Sequence, residues 1–149
     1  MDNIDIRILQ CLKENSRMSA SAISRVVNLS ISSVTERIKK LESSGTIKQY
    51  TIVVDNKKFG NNAIVFMQVG LDHPKHGDAF AAKVVEIPHV VSCNYVTGEY
   101  DFMLKIITDS PESLERIHRR IKNFDHVAST KTYFVLGQHK DDISLIIDE

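Results

Sequence analysis

Apolar positions along the first 45 residues recur at helical spacing. Ile4, Ile8, Leu9 and Leu12 fall on one helical face, and Ala22, Ile23, Val26 and Val27 form a second short stripe. Val34, Ile38 and Leu41 follow at i, i+4 and i+7. Each stripe is preceded by a capping residue: Asp2 (with Asp5 three positions on), Ser19 and Ser30. Asn15-Ser16-Arg17 ends the first helix, Asn28-Leu29-Ser30 makes a tight turn, and Ser44-Gly45 closes the third. Three short helices with so brief a turn between the last two predict a helix-turn-helix.

The pattern then changes period. Residues 46–55 are rich in β-branched side chains and predict a wing followed by a connecting strand. The polar, glycine-containing stretch 56–62 reads as a hinge. Strands are expected at 63–71, 89–97, 100–108 and 126–136, with another at 143–147. Phe80, Val84 and Ile87 mark a helix ending at Pro88. A second helix starts at Ser110-Pro111-Glu112 and buries Leu114, Ile117 and Ile121. The order β-α-β-β-α-β is ferredoxin-like. The fold class is therefore α+β: a winged helix-turn-helix over 1–48, a connecting strand and hinge over 49–61, and a ferredoxin-like domain over 62–149.

The apolar character of residues 63–67, 102–104 and 106–107 on both faces of their strands adds one consequence. Two helices cover only one face of such a sheet, so the other predicts burial against another subunit.

Composition sharpens this picture modestly. The 149-residue chain is 42% hydrophobic and 26% charged, enough for a buried core. Its formal net charge is zero, but residues 1–60 carry ten Lys/Arg against six Asp/Glu, and the remainder is net acidic to the same extent. A basic N-terminal part suits a polyanionic partner. No apolar run is long enough to cross a bilayer, the start lacks an export signal, and a cytoplasmic location is expected. Cys11 and Cys93 sit within apolar patterns and read as buried hydrophobes.

With Val34, Ile38 and Leu41 buried, Ser32, Ser33, Thr35, Glu36, Arg37, Lys39 and Lys40 project outward. These are the candidate contacts to double-stranded DNA. Small hydroxyl residues allow close approach, Arg37 offers a fork to guanine, and Glu36 can accept from cytosine. Lys39 and Lys40 suit phosphates. An ordinary solvated face has the same composition.

These residues resemble the Lrp/AsnC, or feast/famine, family of transcriptional regulators. The matching stretches are Asp2-Asn3-Ile4-Asp5, Ile8-Leu9, Asn15-Ser16-Arg17-Met18-Ser19, Asn28-Leu29-Ser30, Val34, Arg37-Ile38, Leu41-Glu42, Gly45-Thr46-Ile47 and Tyr50. The match resumes at Val96-Thr97-Gly98-Glu99-Tyr100-Asp101 and covers nearly the whole chain. Ser16 stands where glycine is usual, and Ile31 where proline commonly opens the recognition helix. The resemblance implies homodimers that join into tetramers or octamers, and an effector cleft near the glycine-acid turn.

An amino-acid effector needs an acceptor for its ammonium and donors for its carboxylate. Glu99 or Asp101 can supply the first, and backbone N–H groups near Gly98 the second. Thr97, Tyr100, Ser129, Thr130 and Thr132 complete the candidate effector set. The alternative is a plain hairpin turn, with the hydroxyls decorating a strand.

The six histidines are scattered and read as surface or core residues, so no metal and no cofactor is expected. Arg116, Arg119, Arg120 and Lys122 form the solvated face of the last helix. Phosphate-loop, nucleophile-elbow and zinc-protease patterns are absent, and an enzyme is not expected. The residual enzymatic alternative, which His118 and His126 keep open, is a tetrapyrrole-processing decarboxylase of the same two-domain architecture. A pure assembly or metabolite-sensing module is a third reading.

Overall fold

In the computed structural model, which describes residues 1–146, the chain forms two compact units: Met1–Val53 with the tail from Lys140, and Val54–His139.

The first unit holds α1 (Asn3–Glu14), α2 (Ala20–Val27) and α3 (Ile31–Ser43). Asp2 and Asp5 exchange reciprocal side-chain–backbone bonds at the start of α1, a complete capping box. Ser19 accepts from Ala22 N, and Ser30 from Ser33 N. Asn28 takes the left-handed conformation (φ 55°) that turns α2 into α3, and Gly45 (φ 72°) ends α3. The three helices enclose Ile8, Cys11, Leu12, Ile23, Val27, Val34 and Leu41. Each large aliphatic side chain fully buried there contributes about 1.5–3 kcal/mol.

Residues 46–55 differ from expectation. They form no strand, and Ile52 and Val53 are 81% exposed. β-Branched residues favour an extended chain but cannot make a strand without a hydrogen-bonding neighbour, and none pairs with them among the described residues. The expected strand at 143–147 is likewise absent over 143–146, and Ile147 lies outside the described residues.

The second unit contains β1 (Ala63–Leu71), α4 (Gly77–Val84), β2 (Val90–Tyr95), β3 (Phe102–Thr108), α5 (Pro111–Lys122) and β4 (Val127–Phe134). The sheet is antiparallel with order β2-β3-β1-β4, the ferredoxin-like arrangement. Val65, Met67 and Val69 of β1 and Phe102, Leu104 and Ile106 of β3 pack with Phe80 and Val84 of α4 and Leu114, Ile117 and Ile121 of α5. Because side chains alternate along a strand, Ile64, Phe66, Met103 and Ile107 line the opposite face, half-buried and uncovered by any helix of this unit.

Cys11 is buried, Cys93 is half-buried, and neither forms a disulfide. Burial pushes the Cys93 thiol above its ordinary pKa.

Candidate nucleic-acid interface

The outer side of α3 is built around its cap. The Ser30 hydroxyl accepts from Ser33 N at 3.1 Å and lies 2.7 Å from the Ser33 hydroxyl and 3.0 Å from that of Ser32. Thr35 donates back to the Ile31 carbonyl at 2.9 Å, one turn earlier. Ser33 and Thr35 are therefore half-buried with hydroxyls engaged inside the helix, whereas Ser32, Glu36, Lys39 and Lys40 are exposed. Ile31, which sequence reasoning did not select, is 52% exposed at the start of α3 and offers a methyl-bearing surface of the kind that meets thymine.

Arg37 departs most from expectation. Its Nη1 donates to Asp2 Oδ2 and Asp5 Oδ1, both at 2.7 Å. The guanidinium thus ties the middle of α3 to the N-terminus of α1 and does not stand as a free fork. The Asp5 N–H, followed by Arg37, holds the Asp2 carboxyl below its ordinary pKa, and the same two acids raise that of Arg37. Tyr50 beyond α3 donates to Glu42 at 2.8 Å; partial burial and then that bond push its phenol up to about 12.

The second unit divides the candidate effector residues. Gly98 (φ 123°) turns the chain between β2 and β3, leaving Thr97 and Glu99 exposed and Tyr100 half-buried. Asp101 Oδ2 accepts from Leu71 N at 2.7 Å, beside the irregularity between Gly70 and Leu71, so this carboxylate already knits the turn to β1. A Cβ at Gly70 would stand 2.6 Å from the Ser129 hydroxyl and 3.5 Å from the Tyr100 ring, which places Ser129 and Tyr100 together on the open face.

Thr130 and Thr132 pair with Val69 and Met67 and belong to the helix-covered side; Thr130 bonds His118 of α5 at 2.9 Å. The hydroxyls at 129, 130 and 132 are therefore not one cluster, because neighbouring strand residues point to opposite faces. Lys131, missed by sequence reasoning, shares the open face. Its pKa is raised first by Tyr133, then by the charges of Tyr100 and Glu99.

Both units match known families. Residues 1–48 match the winged helix-turn-helix DNA-binding model, and residues 62–145 match the Lrp/AsnC ligand binding domain. The HTH-type transcriptional regulator FL11 of Pyrococcus furiosus is 32% identical over 97% of this chain and 95% of its own. The chain belongs to the Lrp/AsnC family.

LrpC of Bacillus subtilis, another HTH-type transcriptional regulator, is 34% identical to this Lrp/AsnC chain over 93% of each. A solved transcriptional regulator of Neisseria meningitidis in complex with L-Met superposes with a TM-score of 0.92 at 30% identity, covering 97% of this chain and 96% of that one. This Lrp/AsnC protein is accordingly a DNA-binding transcriptional regulator with a C-terminal ligand-binding domain. His118 and His126, on which the decarboxylase alternative rested, have separate partners: Thr130 for the first and Asp72 for the second. Among the described residues, no helix is long and apolar enough to cross a membrane.

Proposed function

We propose that this protein is a cytoplasmic regulator that reads a two-fold-related operator with α3 and responds to an amino acid. The observation that carries the proposal is the outer row of α3, where Ser32, Glu36, Lys39 and Lys40 remain exposed while Val34 and Leu41 are buried. Lys39 and Lys40 supply phosphate contacts; Ser32 and Glu36, with Ile31, meet base edges. Arg37 acts by fixing the pose of α3 on α1.

Two copies are needed for symmetric half-sites, and the apolar face of Ile64, Phe66, Met103 and Ile107 supports pairing through the sheet, with dimers joining into tetramers or octamers. The L-Met bound by the Neisseria regulator supports an amino-acid effector. Tyr100, Ser129, Glu99 and Lys131 give that ligand an aromatic wall, a hydroxyl and both signs of charge.

Selection from a pool of random duplexes, run with and without each amino acid, tests this reading. An inverted repeat with half-sites about one helical turn apart is expected, its enrichment altered by one amino acid or a small group of them. A pool that returns no common sequence counters it.

A further inference from the structure

At one end of the sheet, the β1–α4 connection and the segment just before β4 meet at a carboxylate. Asp72 directly follows β1, His76 closes the 3-10 turn Pro74–His76 before α4, and His126 directly precedes β4. His126 Nδ1 lies 3.0 Å from Asp72 Oδ2, and His76 Nε2 lies 3.8 Å from Asp72 Oδ1. The three potential ligand atoms are all within 4.8 Å of one another. The two imidazole rings stack with centroids 3.4 Å apart and planes 2° from parallel.

We propose that Asp72, His76 and His126 form a binding site for a borderline divalent cation of the zinc class. Two imidazole nitrogens and one carboxylate oxygen are the donor set such ions prefer, whereas calcium and magnesium seek more oxygen ligands. Zinc bonds of about 2.0–2.2 Å in a tetrahedron hold ligand atoms roughly 3.3 Å apart; His126 lies 3.0 Å from one Asp72 oxygen and His76 3.8 Å from the other, so the carboxylate must turn to bring one oxygen to both rings. Coordination requires the two rings to leave their parallel stack, because in-plane lone pairs of parallel rings do not meet at one point. The side chains of Asp72, His76 and His126 are 53%, 23% and 44% exposed, so an ion reaches them from solvent.

The backbone reinforces the placement. His126 adopts φ 72°, a conformation uncommon for residues other than glycine, and its carbonyl accepts from Asp72 N at 2.9 Å. This bond holds the ligand-bearing segments together whether or not a cation is present. A neighbouring cavity of about 190 Å³, lined by Phe80, Lys83, Phe124 and Asp125 beside the two histidines, has room for the water that completes a four-ligand shell. Lys83 opposes a cation, but its ammonium lies 3.3 Å from Asp125, which offsets that charge. Bound metal would clamp the β1–α4 connection to the start of β4 and stabilise the ligand-binding domain.

The full chain, stripped with chelator and titrated with zinc chloride in a calorimeter, tests the assignment. One zinc per chain is expected, with affinity falling at least about tenfold in Asp72→Asn, His76→Ala and His126→Ala and unchanged in His89→Ala. Independently, substoichiometric Ni²⁺ should broaden the ring resonances of His76 and His126 in the unsubstituted protein before those of His89 and His118. Absence of saturable zinc uptake, retention of wild-type affinity in His126→Ala, or uniform broadening of all histidines overturns the site.

Discussion

Arg37 and Asp5, 32 residues apart, are joined by a 2.7 Å hydrogen bond from Nη1 to Oδ1 that fastens α3 to α1. Asp2 accepts from the same nitrogen. Arg37 thereby holds α3 in place on α1. Arg37→Ala should lower the melting temperature of the first unit and weaken operator and random duplex to a similar degree. Arg37→Ala and Asp5→Ala should be less than additive in a thermal-unfolding double-mutant cycle, because each breaks the same contact. Strict additivity would place the two residues in independent roles.

Asp2 makes the same unit sensitive to acid. Its carboxyl is held below the ordinary range, first by the Asp5 N–H and then by Arg37. A depressed native pKa stabilises the fold in full above the unfolded value of about 3.9, and that contribution is lost as pH falls through the native value. Urea unfolding followed by circular dichroism should therefore show stability declining below about pH 4, less steeply in Asp2→Asn, which retains a capping side chain without the titration.

Asp101 separates structure from ligand recognition. Its Oδ2 accepts from Leu71 N at 2.7 Å, so Asp101→Ala leaves a part-buried backbone donor unpaired. A loss of roughly 1–3 kcal/mol in denaturant unfolding is expected. Asp101→Asn keeps a carbonyl acceptor and should retain most of the stability. If Asn is as damaging as Ala, the negative charge itself matters.

The open sheet face makes a separate prediction. Phe66, paired with Lys105 of β3 and Tyr133 of β4, lies among the apolar residues that no helix of its unit covers. Phe66→Asp should shift the protein towards monomer in light scattering at micromolar concentration while circular dichroism stays unchanged. A monomeric wild type would remove the paired-helix geometry.

How legible was all this in the sequence? Local chemistry was read well. Asp2, Ser19, Ser30 and Ser110 cap the helices they were expected to cap, and β1 forms over the residues whose apolar run predicted it. What escaped depends on distant partners. Nothing near Arg37 announces Asp2 and Asp5, nothing near Asp101 announces Leu71, and His126 meets Asp72 across 54 residues. Grouping Ser129 with Thr130 and Thr132 neglected strand alternation, a local rule that was available. Residues 46–55 carry strand propensity but find no pairing strand among the described residues, so propensity alone overreached.

The most direct test of α3 as the reading helix is a competition titration. A selected duplex and its scrambled counterpart are compared across salt concentrations for the wild type, Glu36→Ala and Lys40→Ala. Wild-type preference should be on the order of 10³ or more. Glu36→Ala should reduce discrimination at one base-pair position by roughly tenfold. Lys40→Ala should weaken both duplexes and lower the salt slope by about one. Equal wild-type binding to selected and scrambled duplexes would contradict the account.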